Sequence, residues 1–200
     1  MTPIDSAFTQ FPILTTPRLC LRQLQTHDAE ALFDTFSDAE VMRFHGQPVQ
    51  QTLEDTHAWL TKVETRYAQR DAIRWGITLP ADDRVIGTCS FHRFDEGYYR
   101  VETGYDLNRA YWRQGIMLEA MAVVLAYGFE ALRLHRIEAV INIANDASHA
   151  LLLKLGFTYE GVLRQRGKRG DTFEDQHFFG LLTHEWHGST PNTAILTVPS

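Results

Sequence analysis

The run Tyr111-Trp112-Arg113-Gln114-Gly115-Ile116-Met117-Leu118-Glu119-Ala120 constrains the fold more than any other part of this sequence. A tight polar turn closes on a glycine. Met117, Met121, Val124, Leu125 and Phe129 then recur at helical spacing, which predicts a helix over residues 115–132. Strand-like stretches flank this helix. Residues 98–106 precede it, and residues 136–143 follow with Ile137, Ala139, Ile141 and Ile143 on one face. Strand, glycine turn, helix and strand make a β–α–β unit. Its helix start aims unpaired backbone N–H groups, and the positive end of the dipole, at any anion placed there.

The rest of the chain extends this pattern to a mixed α/β order, βααββ(β)αβαββ. Residues 18–24 alternate as a half-buried first strand, and His27-Asp28 opens a helix running through Ala31, Leu32 and Phe36. A second helix is expected over residues 53–70, with an irregular loop at residues 44–51 around Pro48. Residues 74–79 and 85–91 read as strands, and Asp95-Glu96-Gly97 as a hairpin turn. A helix over residues 146–155 should stop at Gly156 in a left-handed cap, with Phe157 folded back on Leu152. Residues 158–165 and 173–182 form a last hairpin around Gly167-Lys168-Arg169-Gly170. The expected organisation is an extension at residues 1–14, a single domain at residues 15–187, and a tail of turn-like composition at residues 188–200.

Length and charge narrow the class. Two hundred residues, 44% of them hydrophobic, suffice for one domain with a real core. A formal net charge of −6 argues against a nucleic-acid partner, which would call for a basic excess. No apolar run approaches the ~20 residues of a membrane span, and the start has no secretory pattern, so a cytoplasmic location is expected. Cys20 and Cys89 sit in apolar strand-like contexts without metal-like spacing and read as buried thiols.

Taken alone, several motifs have ordinary explanations. A glycine turn can simply start a helix, Asn145 can simply cap one, and Ser148 can bond its own helix backbone. Dinucleotide binding needs three glycines where only Gly115 is present, although Glu138 lies near the distance of a ribose-binding acid. His184-Glu185-Trp186-His187 implies no third ligand and lacks zinc-helix spacing, so it reads as a surface segment. Glu119 reads as a first-turn glutamate favoured by the helix dipole, and the basic run at residues 164–169 as a solvated hairpin turn.

The order and spacing of these pieces resemble the GNAT superfamily of acyl-CoA-dependent N-acyltransferases, and most closely the branch that acetylates the N-termini of ribosomal proteins. The resemblance covers residues 16–186. It is carried by Pro17-Arg18-Leu19-x-Leu21-Arg22, Glu102-Thr103-Gly104-Tyr105, the Gly115 turn, His135-Arg136-Ile137-Glu138-Ala139, Asn145-Asp146-Ala147-Ser148 and Leu153-Lys154-Leu155-Gly156-Phe157. Trp112 and Met117 depart from the broad [Gln/Arg]-x-x-Gly-x-[Gly/Ala] pattern, and Leu152 stands where many members carry a proton-donating tyrosine.

The resemblance implies the GNAT fold, a central mixed twisted sheet with helices on both faces, and acetyl-CoA as cofactor. Arg113, Gln114, Gly115, Ile116 and Met117 would hold its pyrophosphate, and the backbone of Tyr105, Asp106 and Leu107 would pair with the pantetheine arm. Asn145 would hydrogen-bond that arm or the thioester, and Ser148 would lie near the sulfur. Glu102 would accept the proton of the attacking amine. The implied reaction is direct transfer of acetyl to a primary amine, with no metal and no covalent enzyme intermediate. Three acceptor readings stay open: a protein N-terminal α-amine, a small amine (polyamine, aminoglycoside or amino acid), or none, if the chain only binds acyl-CoA. A homodimer is compatible with the resemblance; the helix faces do not demonstrate one.

Overall fold

The computed structural model describes residues 2–188 and 195–197. Its strands are β1 (Ile13–Thr15), β2 (Cys20–Gln23), β3 (Ala72–Thr78), β4 (Val85–Asp95), β5 (Arg100–Leu107), β6 (Arg136–Asn142), β7 (Thr158–Arg169), β8 (Thr172–Leu182) and β9 (Ile195–Thr197). They form one sheet in the order β7-β8-β6-β5-β4-β3-β2-β1-β9. Neighbours pair antiparallel except β5 and β6, the parallel pair of the β–α–β unit.

Helices cover both faces. On one, α1 (Pro3–Thr9), α5 (Ile116–Ala126) and α6 (Asp146–Lys154) bury Ile4, Ala120, Met121 and Leu152 against Trp75, Phe91, Ile137 and Phe179. Area removed from water makes each of the larger of these aliphatic and phenyl side chains worth roughly 1.5–3 kcal/mol. Trp75 anchors this layer, edge-on to Phe91 and Tyr127 at 5.7 and 5.9 Å, with its indole N–H donating to the Pro12 carbonyl at 2.8 Å. The other face packs α2 (Ala29–Phe36), α3 (Ala39–Met42) and α4 (Leu53–Ala68) through Leu32, Phe36, Met42 and Leu60 onto Val85.

Several expectations shift. The residues before 15, expected as an extension, form α1 and β1. Ile4 and Ala7 enter the core, Tyr67 from α4 donates to the Ala7 carbonyl, and Arg70, just past the end of α4, pairs with Asp5. The helix expected over residues 115–132 is α-helical only to Ala126 and continues as a π-helix, Tyr127–Ala131. The last hairpin is longer than expected and turns at Gly170-Asp171. Ile143 falls past the end of β6 and is exposed. The stop after α6 matches the expected cap: Gly156 adopts φ +90°, and the Phe157 N–H reaches the Leu152 carbonyl at 3.0 Å. Among the described residues no helix is long and apolar enough to cross a membrane.

Candidate active site

The parallel pair runs only from Arg100↔Arg136 to Thr103↔Ala139. Beyond it β5 stays on β4 as far as Leu107↔Gly87, and β6 stays on β8 as far as Asn142↔Gln176. The two strands therefore splay, and among the described residues no strand lies beside the backbone of residues 104–107 on the β6 side. Backbone donors and acceptors left open in this way are a template for an extended ligand.

The glycine turn lies at the open end. Asn108 caps a short 3₁₀ turn, Arg109–Tyr111, by accepting from the Ala110 N–H at 3.0 Å. The Trp112 indole donates to the Leu107 carbonyl at 2.8 Å, tying the turn to the end of β5. Arg113 and Gly115 both take left-handed backbone, φ +60° and +74°, which a glycine accepts without cost and an arginine does not. Gly115 is the N-cap of α5 and no side chain caps the helix, so its first amides remain available to an anion. Ile116 is buried. Met117 packs inward, its sulfur 3.7 Å from the Cys89 sulfur. Gln114 bonds the Ala110 carbonyl, and Arg113 is exposed beside the turn.

A brace behind the turn differs from the reading of Glu119 as a simple first-turn carboxylate. Glu119 accepts from the Thr16 hydroxyl at 2.5 Å and pairs with Arg18, whose guanidinium also reaches the Gln114 carbonyl at 3.2 Å. Burial raises the Glu119 pKa, but these hydrogen bonds and the Arg18 charge outweigh it and hold the carboxyl below its usual range. Thr16 and Arg18 stand about a hundred residues upstream, which kept this contact out of a local reading.

On the α5 and α6 side of the splay, the Asn145 carboxamide oxygen accepts from the Ser148 N–H at 3.1 Å, so the expected cap is present. Ser148 is half-buried one turn in, and Leu152, in the tyrosine's place, is fully buried. The Tyr105 hydroxyl, not anticipated as a functional group, is buried and closes no hydrogen bond among the described residues. Burial pushes the phenol well above its usual pKa, with the nearby Ser148 hydroxyl partly offsetting this. Cys89 is fully buried and its thiol is held protonated by that burial, which leaves it no part as a nucleophile.

The opposite face of β5 carries Glu102, Gly104 and Asp106, as alternation requires. Glu102 meets His92 Nε2 at 3.3 Å and the guanidinium groups of Arg93 at 2.9 Å and Arg166 at 3.5 Å. Burial raises its pKa, and the His92 hydrogen bond with these charges more than reverses the effect. The basic run in the last hairpin is thus not wholly solvated, since Arg166 reaches back to the site. Asp106, expected to contribute only backbone, buries its carboxylate against His45 at 3.1 Å, Arg74 at 3.2 Å and Thr88 at 3.1 Å. Desolvation opposes its charge, but His45, Arg74 and Thr88 hold the pKa below the ordinary value. His45 belongs to the irregular loop predicted before α4, so this loop is pinned to the Glu102–Asp106 face of β5.

Comparisons with known proteins agree with this geometry. Residues 18–158 match the family model for the acetyltransferase (GNAT) domain. The chain is 40% identical over 172 residues, 86% of its own length and 97% of the relative's, to the uncharacterized N-acetyltransferase YoaA of Bacillus subtilis (strain 168). It is 25% identical over 181 residues, 86% of this chain and 92% of the relative, to the [ribosomal protein uS5]-alanine N-acetyltransferase of Escherichia coli (strain K12). The structure of Mycobacterium smegmatis RimJ in complex with CoA-disulfide superposes with a TM-score of 0.78 at 20% identity, covering 88% of each chain, a likeness of fold. The strands that part after Thr103 and Ala139, the uncapped start of α5 and the family match converge: this chain belongs to the GNAT acetyltransferases, enzymes that use acetyl-CoA.

Proposed function

We propose that this protein transfers acetyl from acetyl-CoA to a primary amine by direct attack, with a protein N-terminal α-amine as acceptor. The observation that carries the reading is the opening between β5 and β6 beside an uncapped helix N-terminus. The residues present suit the cofactor: amides at Ile116 and Met117 for the pyrophosphate, Arg113 as a nearby cation, and open backbone at Tyr105, Asp106 and Leu107 for the pantetheine arm. Bound acetyl-CoA supplies the activated thioester. The Asn145 cap occupies the carboxamide oxygen and leaves its nitrogen as a donor toward that arm. A backbone N–H just past Thr103 would stabilise negative charge on the carbonyl oxygen. Ser148 would donate a hydrogen bond at the departing sulfur, with the Tyr105 hydroxyl behind it standing in for the tyrosine absent at position 152. Glu102 belongs to the acceptor side, where the ammonium proton leaves.

The α-amine reading draws on the E. coli relative that acetylates a ribosomal protein's alanine terminus, on the sequence resemblance to that branch, and on an acceptor face lined by Glu102 and Asp106. Two free thiols, Cys20 and Cys89, fit a cytoplasmic location. The test is a panel of amines incubated with acetyl-CoA and read by mass: peptides with alanine or serine termini, polyamines, aminoglycosides and free amino acids. Acetylation of peptide α-amines above the other classes supports the reading. Exclusive acetylation of a small amine replaces it.

A further inference from the structure

Glu102 is a poor proton acceptor. The His92 hydrogen bond and two guanidinium charges stabilise its ionised form, and a carboxylate held that way has little tendency to take a proton near neutrality. His92 is better placed. It stands opposite Glu102 across the β4–β5 pair, and a methyl group built on Gly104 would touch His92 Cε1 at 3.5 Å. Gly104 is the first residue of β5 past the last parallel pair, Thr103↔Ala139, so the imidazole lies over the point where the cleft opens. Its Nε2 faces Glu102 Oε1 at 3.3 Å, while its Nδ1 is buried and makes no hydrogen bond among the described residues. A buried ring nitrogen without a partner, on a ring held by a carboxylate, is the arrangement of an oriented base.

The backbone is bent to build this cluster. The β4–β5 register shifts between His92 and Asp95, with Arg93 at φ +55°, and this bulge lets consecutive residues His92 and Arg93 both reach Glu102. A second shift lies between Leu163 and Gly167 in the last hairpin, with Gln165 at φ +52°, next to Arg166, which also reaches Glu102. Left-handed backbone at a residue other than glycine is strained, and bulges next to active sites re-aim side chains.

Resting on the acetyl-transfer reading above, we infer that His92 takes the proton of the incoming ammonium, directly or through one water, and that Glu102 is its positioning residue. The Glu102 carboxylate holds Nε2–H, leaving the Nδ1 lone pair to receive the proton. The neutral amine then forms the C–N bond as the C–S bond breaks and the sulfur takes the electron pair. The second nitrogen proton ends on that sulfur, and His92 returns the first to solvent. The charged groups facing the dyad are Arg93 from β4, Arg166 from β7 and Glu102 itself from β5.

The test compares wild type, His92→Gln and Glu102→Gln over pH 5–9, with saturating acetyl-CoA and the amine turned over fastest in the panel. Gln keeps a donor where Nε2 stood and removes the base; His92→Asn is the second variant, with the same expectation. The ratio of wild-type to variant kcat/KM cancels the amine's own titration. For His92→Gln this ratio should climb with pH, reaching about 100 once the imidazole is neutral. For Glu102→Gln it should be smaller, because the base remains and only its positioning is lost. Acetyl-CoA affinity should be unchanged in both. A flat ratio for His92→Gln, or a larger loss for Glu102→Gln than for His92→Gln, overturns the assignment. Failure of wild type to acetylate any amine removes the transfer reading first, and the inference with it.

Discussion

The two walls of the cleft are made of different material. On the α5 and α6 side the groups offered to a ligand are main-chain amides at the start of α5, open backbone on β5 and one capping asparagine. On the opposite side they are side-chain pairs, Glu102 with His92 and Asp106 with His45, whose members come from β4, β5 and the loop before α4. The first wall needs only a glycine, a helix and two strands in the right order. The second needs distant residues brought within about 3 Å, and it carries the buried charge. The wall proposed for the cofactor is therefore specified by local signals, and the wall proposed for the acceptor by side-chain pairs.

Substitutions on the two walls should fail differently. The largest effect expected is Asp106→Ala, which leaves the Arg74 guanidinium buried without its carboxylate and frees His45; losing one partner of such a pair costs about 3–5 kcal/mol. Urea unfolding checks it, and a change below about 1 kcal/mol would show that this wall is not held by its charges. Gly115→Ala forces a methyl-bearing residue to φ +74°, a cost of roughly 1–2 kcal/mol. If the turn relaxes to avoid that strain, its amides move off the phosphates, and acetyl-CoA should bind about tenfold more weakly by calorimetry, equivalent to about 1.4 kcal/mol. Unchanged affinity would mean that the turn is only a helix start.

Ser148→Ala should lower kcat by roughly tenfold while acetyl-CoA affinity stays near wild type, the size of one hydrogen bond made at the departing sulfur. Equal losses in both would assign Ser148 to binding alone. The smallest effect belongs to the brace behind the turn. Glu119→Gln removes a partly exposed pair with Arg18 worth under about 1 kcal/mol. The folded Glu119 pKa lies below its unfolded value, so its contribution is present above the unfolded value and fades as pH falls through the folded one. Wild type should therefore lose its advantage over Glu119→Gln in acid; an advantage that grows in acid would be inconsistent with the pairing.

The same contrast explains what could be read in the sequence. Gly115, the helical spacing after it and the alternation on both sides are local signals, and they placed the β–α–β unit and its parallel pair correctly. Gly156 and Phe157 behaved as a helix stop for the same reason. The acceptor wall escaped because its pairs span long separations, Asp106 with His45 and Glu102 with Arg166, as does the brace of Glu119 with Arg18 behind the turn. Alternation did place Glu102 and Gly104 on one face, but it could not show that His92 would stand opposite that carboxylate or that a bulge after His92 would bring Arg93 to it as well. The N-terminal helix was missed because Ile4 and Ala7 acquire their partners only in the fold. Thr2, Pro3 and Asp5 did spell a capping box with proline in the first turn, a signal that could have found it.

Calorimetric titration of acetyl-CoA into wild type and His92→Gln, with kcat measured on the same samples, tests the division between the walls most directly. The account predicts the same one-to-one affinity in both and turnover near pH 7 about 100-fold lower in the variant. Acetyl-CoA that binds neither protein, or loses affinity in step with turnover when His92 is replaced, would contradict it.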